Sequence, residues 1–153
     1  MNTQQLIDNL KFNWQDCHKT SLECAELVPK ELWSTKPFDP RFKSFAWEFA
    51  CLARTRLCYL KSMDTGRLNF STQPDIPDRT VFVDSSKEEV IKHLNSAYKQ
   101  LRSKIEQIED ADQVSFVAWL LQHERIHHGK LDLYLAQADL ELPPTFAETW
   151  GRF

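Results

Sequence analysis

Apolar residues recur every three to four positions along most of the chain, and this spacing is typical of one face of an α-helix. Four long segments carry the pattern, at residues 3–27, 44–63, 86–107 and 113–138. Ser44 and Ser86 stand where helix N-caps are expected, and Glu89 completes a capping box after Ser86. Gly66 follows the second segment, as a C-terminal stop does. The pattern therefore predicts four long helices.

The connections between the four segments predict how the helices are arranged. A short turn at residues 109–112 joins the third and fourth segments and makes them antiparallel. Residues 28–43 form a proline-bearing connector between antiparallel helices 1 and 2. Residues 64–86 form a crossover long enough to leave helices 2 and 3 parallel. We therefore expect an all-α fold, a single-domain four-helix bundle over residues 1–153 in up-down-down-up order.

Three shorter pieces are predicted to have less regular structure. Residues 30–33 are expected to make one helical turn, and residues 80–83 are expected to be briefly extended. The tail over residues 140–153 contains two consecutive prolines and is expected to lie irregularly against the helices, with Trp150 packed. None of these pieces changes the expected helical class.

Composition and charge exclude several classes of protein. The 153 residues are 42% hydrophobic and 27% charged, with a net charge of -3, so nothing indicates a nucleic-acid or membrane partner. No run approaches the roughly 20 apolar residues of a membrane span, and the N-terminus lacks the features of a signal peptide. We therefore expect a cytoplasmic protein. The four cysteines contain no Cys-x-x-Cys motif, and in a reducing compartment we expect no disulfides.

The candidate chemistry begins with two histidines in the fourth helix, His123 and His127. Residues four apart lie on the same side of an α-helix and about 6 Å apart along it, so both imidazoles could bind one metal ion. The same face carries Leu120 and Leu131 and should point inward, where two imidazoles without a partner would be unfavourable. The spacing therefore predicts a metal site. The neighbouring His128 is expected on a solvated face.

The same stretch spells His-Glu-x-x-His, the signature of zinc proteases that use the Glu as general base. Such an enzyme needs a third ligand further along the chain and a strand beside the helix. Beyond residue 128 the chain has Glu141 and Glu148, but no histidine and no run typical of a strand. The zinc protease therefore stays an alternative that the rest of the sequence does not favour.

A longer set of residues carries a family pattern. In the fourth helix and the tail it comprises His-Glu-Arg-Ile-His-His-Gly-Lys-Leu at 123–131, Tyr-Leu at 134–135, Leu-Pro-Pro at 142–144, and Trp150. In the second helix it comprises Phe-Ala-Trp at 45–47, Arg54, Tyr-Leu at 59–60, and Gly66. Together these residues resemble the DinB-like family, most strongly over residues 44–66 and 116–150.

The resemblance implies a four-helix bundle, homodimers, and a divalent metal ion, zinc or nickel, bound by three histidines. One of those histidines comes from helix 2, and the helix-4 pair supplies the others. In this chain the helix-2 position, four residues after Trp47, is Cys51. The implied metal ligands are therefore Cys51, His123 and His127, because a thiolate also binds zinc or nickel well. The alternative is that the shorter Cys51 side chain leaves a degenerate site.

Better-studied members of that family are transferases or isomerases that use low-molecular-weight thiols. The resemblance therefore implies a metal-dependent enzyme, either a thiol-dependent S-transferase or a hydrolase, acting on a small molecule. The alternative is a non-catalytic dimeric helical bundle with a degenerate metal site. Neither hypothesis assigns a catalytic residue.

Four charged residues near these positions have predicted roles. Glu48 precedes Cys51 by about one turn and is expected to accept a hydrogen bond from a ligand histidine. Glu124 points about 100° away from the His123 side chain and is expected to be a solvated surface carboxylate. Arg54 and Arg56 are expected to be surface or helix-end cations, with contacts to an anion as the alternative.

Overall fold

Helices dominate the structure, a computed structural model that describes residues 2–38 and 41–151. Within those ranges there is no β-strand, and one isolated bridge joins Gln73 and Ile76. The helices are α1 Thr3–Leu27, α2 Phe45–Thr65, α3 Arg79–Val83, α4 Lys87–Ile105, α5 Ala111–Gln137 and α6 Pro144–Trp150, with a 3-10 turn at Lys30–Leu32. The predictions of an all-α fold and of a helical turn after α1 are confirmed.

The ends of the long helices follow from the capping residues in the sequence. The Ser44 side chain accepts a hydrogen bond from the backbone N–H of Trp47 at the start of α2. Ser86 and Glu89 form the expected capping box at the start of α4. Gly66 ends α2 in the left-handed conformation, with φ 66°, which a residue without a Cβ adopts readily. The four predicted long helices correspond to α1, α2, α4 and α5.

Two apolar clusters form the core and are separated by a polar layer. α2 packs against α3, α4 and α5, while α1 packs against α4, α5 and α6. The first cluster, here the Tyr134 cluster, includes Phe45, Phe49, Leu94, Leu131 and Tyr134. The second, the Trp14 cluster, includes Trp14, Tyr59, Leu101, Ile105, Val117 and Leu120. On α5 the polar side chains at 123–128 lie between the residues that contribute to the two clusters. The candidate site is therefore near the middle of this helix.

The crossover contains a helix where the sequence suggested an extended segment. Residues 80–83 belong to α3, so the prediction of an extended conformation is wrong. The Asp78 side chain accepts a hydrogen bond from the backbone N–H of Thr80, which caps this helix at its start. Phe82 is then buried against α2 in the Tyr134 cluster. Capping and the burial of one aromatic ring therefore outweigh the local preference for strand.

The tail is more regular than predicted, because it forms α6. The Glu23 carboxylate accepts hydrogen bonds from both the backbone N–H and the hydroxyl of Thr145, at 2.8 Å each, near the N-terminus of this helix. Phe146 is buried, but Trp150 is 58% exposed. The predictions of an irregular tail and of a packed Trp150 are therefore wrong.

The hydrophobicity of the helices and the state of the cysteines bear on the function. No helix in the described ranges is both long enough and apolar enough to cross a membrane. All four cysteines are free and buried. The sulfur atoms are therefore available as thiols or as metal ligands.

Candidate metal centre

Three side chains predicted to bind a metal converge between α2 and α5. The ligand atoms of Cys51, His123 and His127 all lie within 4.8 Å of one another. The two histidine Nε2 atoms are 3.1 Å apart, and Cys51 Sγ lies 3.8 Å from His123 Nε2. Cys51 and His127 are buried, and His123 is partly exposed. The structure thus brings Cys51 next to His123, although the two residues are 72 positions apart in the sequence.

The sequences of both helices explain this convergence. The four-residue spacing on α5 places the two histidines on one side, with their ring centroids 4.5 Å apart. On α2, Ala46, Ala50 and Ala53 are buried in the Tyr134 cluster, which also contains residues of α5. α2 and α5 pack against each other, and the short Cys51 side chain reaches the histidines across that contact.

The donor atoms fit a metal ion. In a tetrahedral zinc site, bond lengths of about 2.0 Å to nitrogen and about 2.3 Å to sulfur place two nitrogens about 3.3 Å apart and a nitrogen and a sulfur about 3.5 Å apart. Two observed separations, 3.1 Å and 3.8 Å, are close to these values, and the ligand atoms of Cys51 and His127 lie within 4.8 Å of each other. The cluster could therefore hold a divalent metal ion without a large rearrangement.

Glu48 lies beside one of the histidine rings, close to the predicted cluster. Its Oε2 atom lies 2.6 Å from His127 Nδ1, on the side of the ring that faces away from the cluster. The Tyr134 hydroxyl donates a hydrogen bond to Glu48 Oε1 at 3.2 Å, and it accepts one from the backbone N–H of Lys43 at 3.1 Å. A carboxylate in this position fixes the ring and keeps its Nε2 atom available as a metal ligand.

No protein-family model matches the chain, and no curated protein sequence matches it. The assignment of a function therefore depends on the contacts around the cluster.

The electrostatic surroundings favour a thiolate at Cys51. Burial by itself would raise the pKa of this thiol, but hydrogen bonds with His123 and His127 outweigh burial and lower it. Burial would likewise lower the pKa of His127, but its hydrogen bonds with Cys51 and Glu48 raise it. A deprotonated sulfur is the form that binds metal ions and acts as a nucleophile.

A second polar cluster, which the sequence did not reveal, lies on the adjacent side of α5. We call it the Arg56 network, and it consists of His18, Ser21, Arg56, Glu124 and His128. Arg56 donates two hydrogen bonds to the Glu124 carboxylate, at 2.9 Å and 2.7 Å. The Ser21 hydroxyl lies 2.8 Å from His128 Nε2, and Arg56 also donates to His18 Nδ1 at 3.0 Å. The network joins α1, α2 and α5.

The predicted exposure of these residues is wrong. Glu124, His128 and Arg56 are each 0% exposed, and Arg54 is only 5% exposed. The physical reason is that most residues of α2 are buried, which leaves Arg56 no exposed face. A charge that cannot reach water needs an opposite charge nearby, and Glu124 supplies it for Arg56. The apolar character of α2 around Arg56 was the one signal in the sequence that could have indicated this pairing.

The Arg56 network also bears on the zinc-protease alternative. Burial would raise the pKa of Glu124, but the Arg56 guanidinium outweighs burial and lowers it to about 2. A carboxylate fixed by two hydrogen bonds from arginine, with so low a pKa, is a poor general base. No strand lies beside α5 in the described residues. Both observations argue against the protease.

Proposed function

We propose that the protein is a DinB-like metal protein that binds one divalent ion, zinc or nickel, through Cys51, His123 and His127. The observation that carries the proposal is the convergence of three donor atoms within 4.8 Å of one another. The Glu48 carboxylate beside His127 Nδ1 supports it, because metal-binding histidines usually donate their second N–H to such a group. We further propose that the ion serves an enzyme, a thiol-dependent S-transferase or a hydrolase, acting on a small molecule.

The order of the core residues supports the up-down-down-up bundle. From the Tyr134 cluster to the Trp14 cluster, residue numbers fall along α1 and α5, for example from Leu131 to Leu120. They rise along α2 and α4, for example from Leu94 to Leu101. Helices that run in these directions fit a bundle in which the crossover between α2 and α4 returns the chain to its starting end.

The chain itself would supply most of the site's chemistry. A divalent ion bound there would contribute Lewis acidity and would lower the pKa of a thiol or water that reached it. Three protein ligands leave a coordination position for such a molecule. Glu48 Oε2 lies 2.6 Å from His127 Nδ1 and would favour a proton there, and a Cys51 thiolate would offset part of the ion's charge. The burial of Cys51 and His127 restricts access by bulk water.

We also propose that the protein is a homodimer. Phe12, Ile126 and Trp150 are 72%, 61% and 58% exposed and border a groove of about 760 Å³ formed by α1, α5 and α6. Apolar side chains grouped in this way are typical of a protein interface. Light scattering would show a dimer for the wild type and a monomer for Ile126→Lys, whereas a monomeric wild type would contradict the proposal.

A cytoplasmic location belongs to the same proposal. All four thiols are free in the structure. Free thiols persist where glutathione and thioredoxin keep cysteines reduced. Fractionation of the source cells, with an antibody against the protein, tests the location.

Metal content is the direct test of the proposed function. The wild type and the variants Cys51→Ala and His123→Ala are purified without an affinity tag, supplied with zinc or nickel, and measured by elemental analysis. We expect about one ion per wild-type chain, as a site with three protein ligands implies, and a large loss in both variants.

Two further variants control for nonspecific effects in the metal analysis. Cys58→Ala removes a buried thiol two turns along α2, and His93→Ala removes an exposed imidazole on α4. Both should keep the metal content of the wild type. A wild type that takes up neither ion would overturn the metal proposal and favour the non-catalytic dimeric bundle with a degenerate site.

A further inference from the structure

One face of α2 places a cationic side chain beside the metal cluster. Trp47, Cys51, Arg54 and Cys58 follow one another at intervals of four, three and four residues, so they share one face of the helix. Arg54 lies three residues beyond Cys51, which corresponds to about 4.5 Å along the helix axis. Cys51 and Arg54 are therefore neighbours on this face of α2.

Arg54 is a buried cation without a counter-ion. It is 5% exposed, and its guanidinium donates hydrogen bonds to the carbonyl oxygens of Phe70 and Ser71, at 3.1 Å and 3.0 Å. Its Nε atom is buried and has no hydrogen-bond partner in the described part of the chain. No carboxylate of the described residues lies within ion-pair distance of it. Arg56, by contrast, is neutralised by Glu124.

Arg79 brings a second guanidinium to the same face from α3. Its guanidinium carbon lies 4.7 Å from the centre of the Trp47 ring. Its Nε atom is also buried without a hydrogen-bond partner, and residues 2–38 and 41–151 offer it no ion pair. An arginine stacked on an aromatic ring is held in a fixed orientation, which leaves the edge of its guanidinium free to bind a ligand.

The charges of both guanidinium groups influence the Cys58 thiol. Burial is the largest influence on its pKa and raises it, while the charges of Arg54, Arg79 and Lys61 act in the opposite direction. Cys58 also lines a cavity of about 340 Å³, together with Lys61, Thr65, Arg67, Asn69 and Gln73. The cavity lining contains no carboxylate, and Lys61 is paired at 2.5 Å with Asp75, which is not among the lining residues. The cavity at Cys58, about two turns along α2 from Cys51, is therefore lined by positive charge and has room for a small ligand.

The geometry points to an anion-binding site in which Arg54 and Arg79 hold the carboxylate of a small ligand whose other end reaches the cluster of Cys51, His123 and His127. A buried cation without a counter-ion is unfavourable, and a bound carboxylate removes that penalty. Guanidinium groups bind carboxylates with two parallel hydrogen bonds, which also fixes the ligand's direction. The carboxylate site rests on Arg54 and Arg79 alone, and the reach to a metal rests on the proposed function.

Two thiols of similar size, one ending in a carboxylate and the other in a neutral hydroxyl, test this inference in the cobalt-loaded protein. The probes are 3-mercaptopropionate and 3-mercapto-1-propanol, and their dissociation constants are read from the sulfur-to-cobalt charge-transfer absorbance. We expect the wild type to bind the carboxylate at least about tenfold more tightly than the alcohol, because charge-assisted hydrogen bonds to arginine are strong. Arg79→Gln and Arg54→Gln should lose this preference and keep the affinity for the alcohol.

The controls separate this inference from the proposed metal function. Lys92→Gln removes one exposed positive charge on α4 and should keep the preference for the carboxylate. Arg79 is partly exposed, so Arg79→Gln remains informative if Arg54→Gln does not fold. Equal affinities of the two thiols for the wild type, with cobalt bound, would overturn the inference and leave the metal function intact.

A metal-free measurement completes the separation. Saturation-transfer NMR detects the binding of propionate to the protein without metal, and we expect a signal in the wild type that is lost in Arg79→Gln. If the protein binds propionate in this way but takes up no metal, the carboxylate site stands and the proposed function fails. If the wild type gives no propionate signal and no preference between the thiols, the carboxylate site is ruled out.

Discussion

Two pairs of polar side chains on α5 have the same four-residue spacing and opposite surroundings. Glu124 and His128 belong to the Arg56 network. Arg56, Glu124 and His128 are each 0% exposed, and the charge of Arg56 is matched by that of Glu124. His123 and His127 face Cys51 instead, and His123 is partly exposed. The His123 Nδ1 atom, although buried, has no hydrogen-bond partner in the described chain. The His128 Nδ1 atom is likewise buried without a partner in the described chain, so the pairs differ in charge matching and in the metal-ligand atoms that the second pair faces.

The comparison shows how one helix can hold a structural site and a reactive site side by side. Adjacent residues on an α-helix point about 100° apart, so a shift of one position moves a side chain from one environment to the other. A charge that is fully paired inside the protein contributes to the fold but has no capacity left for a substrate. A cluster with open donor positions has that capacity, and the four predictions below test this contrast.

The largest effect is expected from breaking the Arg56–Glu124 pair. Either Arg56→Met or Glu124→Leu leaves the opposite charge buried and unpaired, which should lower the free energy of unfolding by about 3–5 kcal/mol. The double variant should lose much less than the sum, because it leaves no unpaired charge. Urea denaturation measures all three. Lys30→Ala, which breaks an exposed pair with Glu88, serves as the control and should have no measurable effect.

A smaller effect is expected from acid. Burial lowers the pKa of His128 to about 3 from an ordinary value of 6.5. Below pH 6.5 the His128 imidazole therefore binds a proton in the unfolded chain but not in the folded protein. The free energy of unfolding falls as the pH decreases from 6.5 towards 3. The free energy of unfolding of the wild type should fall relative to that of His128→Asn over this range. A constant difference between the two proteins would contradict the buried neutral imidazole.

The pairing of Glu48 with His127 should affect metal affinity and not the fold. Glu48→Gln keeps the size of the side chain but removes the charge opposite His127 Nδ1, and metal affinity should fall by about 10- to 100-fold. Competition with a chromophoric chelator measures the affinity. Glu109→Gln, an exposed residue in the turn before α5, is the matched control and should bind metal as the wild type does. Unchanged affinity in Glu48→Gln would mean that the carboxylate has no role in binding.

The smallest effect in free energy concerns the reactivity of the cysteines. In metal-free protein near neutral pH, iodoacetamide should modify Cys51 before Cys17 and Cys24. The pKa of Cys51 is lowered by its histidine hydrogen bonds despite burial, whereas burial raises the pKa of Cys17 to about 12 and that of Cys24 well above its usual value. Peptide mass spectrometry gives the order of modification. Equal rates for the three thiols would contradict a thiolate at Cys51.

The parts of the fold that local patterns specify were predictable from the sequence. Ser44, Ser86 and Gly66 mark helix ends through hydrogen bonds and backbone conformations that involve neighbouring residues only. The histidine spacing on α5 is likewise a property of one helix. Cys51 became a candidate through the family resemblance, and its distance from His123 depends on how α2 packs against α5.

The partners of the charged residues were not predictable in the same way. Arg56 and Glu124 are 68 positions apart, and the apolar neighbours of Arg56 indicate that it needs a partner but not which residue supplies it. Arg54, two residues before Arg56, has similar surroundings in the sequence, yet it donates to carbonyl oxygens of the crossover. The short α3 was also missed, because its stability comes from one cap and the burial of Phe82 against another helix.

The hydrogen-bonded chain from Lys43 through Tyr134 to Glu48 ends on a main-chain N–H and not on a side chain. A substitution of Lys43 therefore changes the side chain but keeps the backbone N–H that donates to Tyr134. Proline is the exception, since it has no N–H to give. A survey of orthologues should accordingly find many residue types at this position and an absence of proline wherever the tyrosine and the carboxylate are retained.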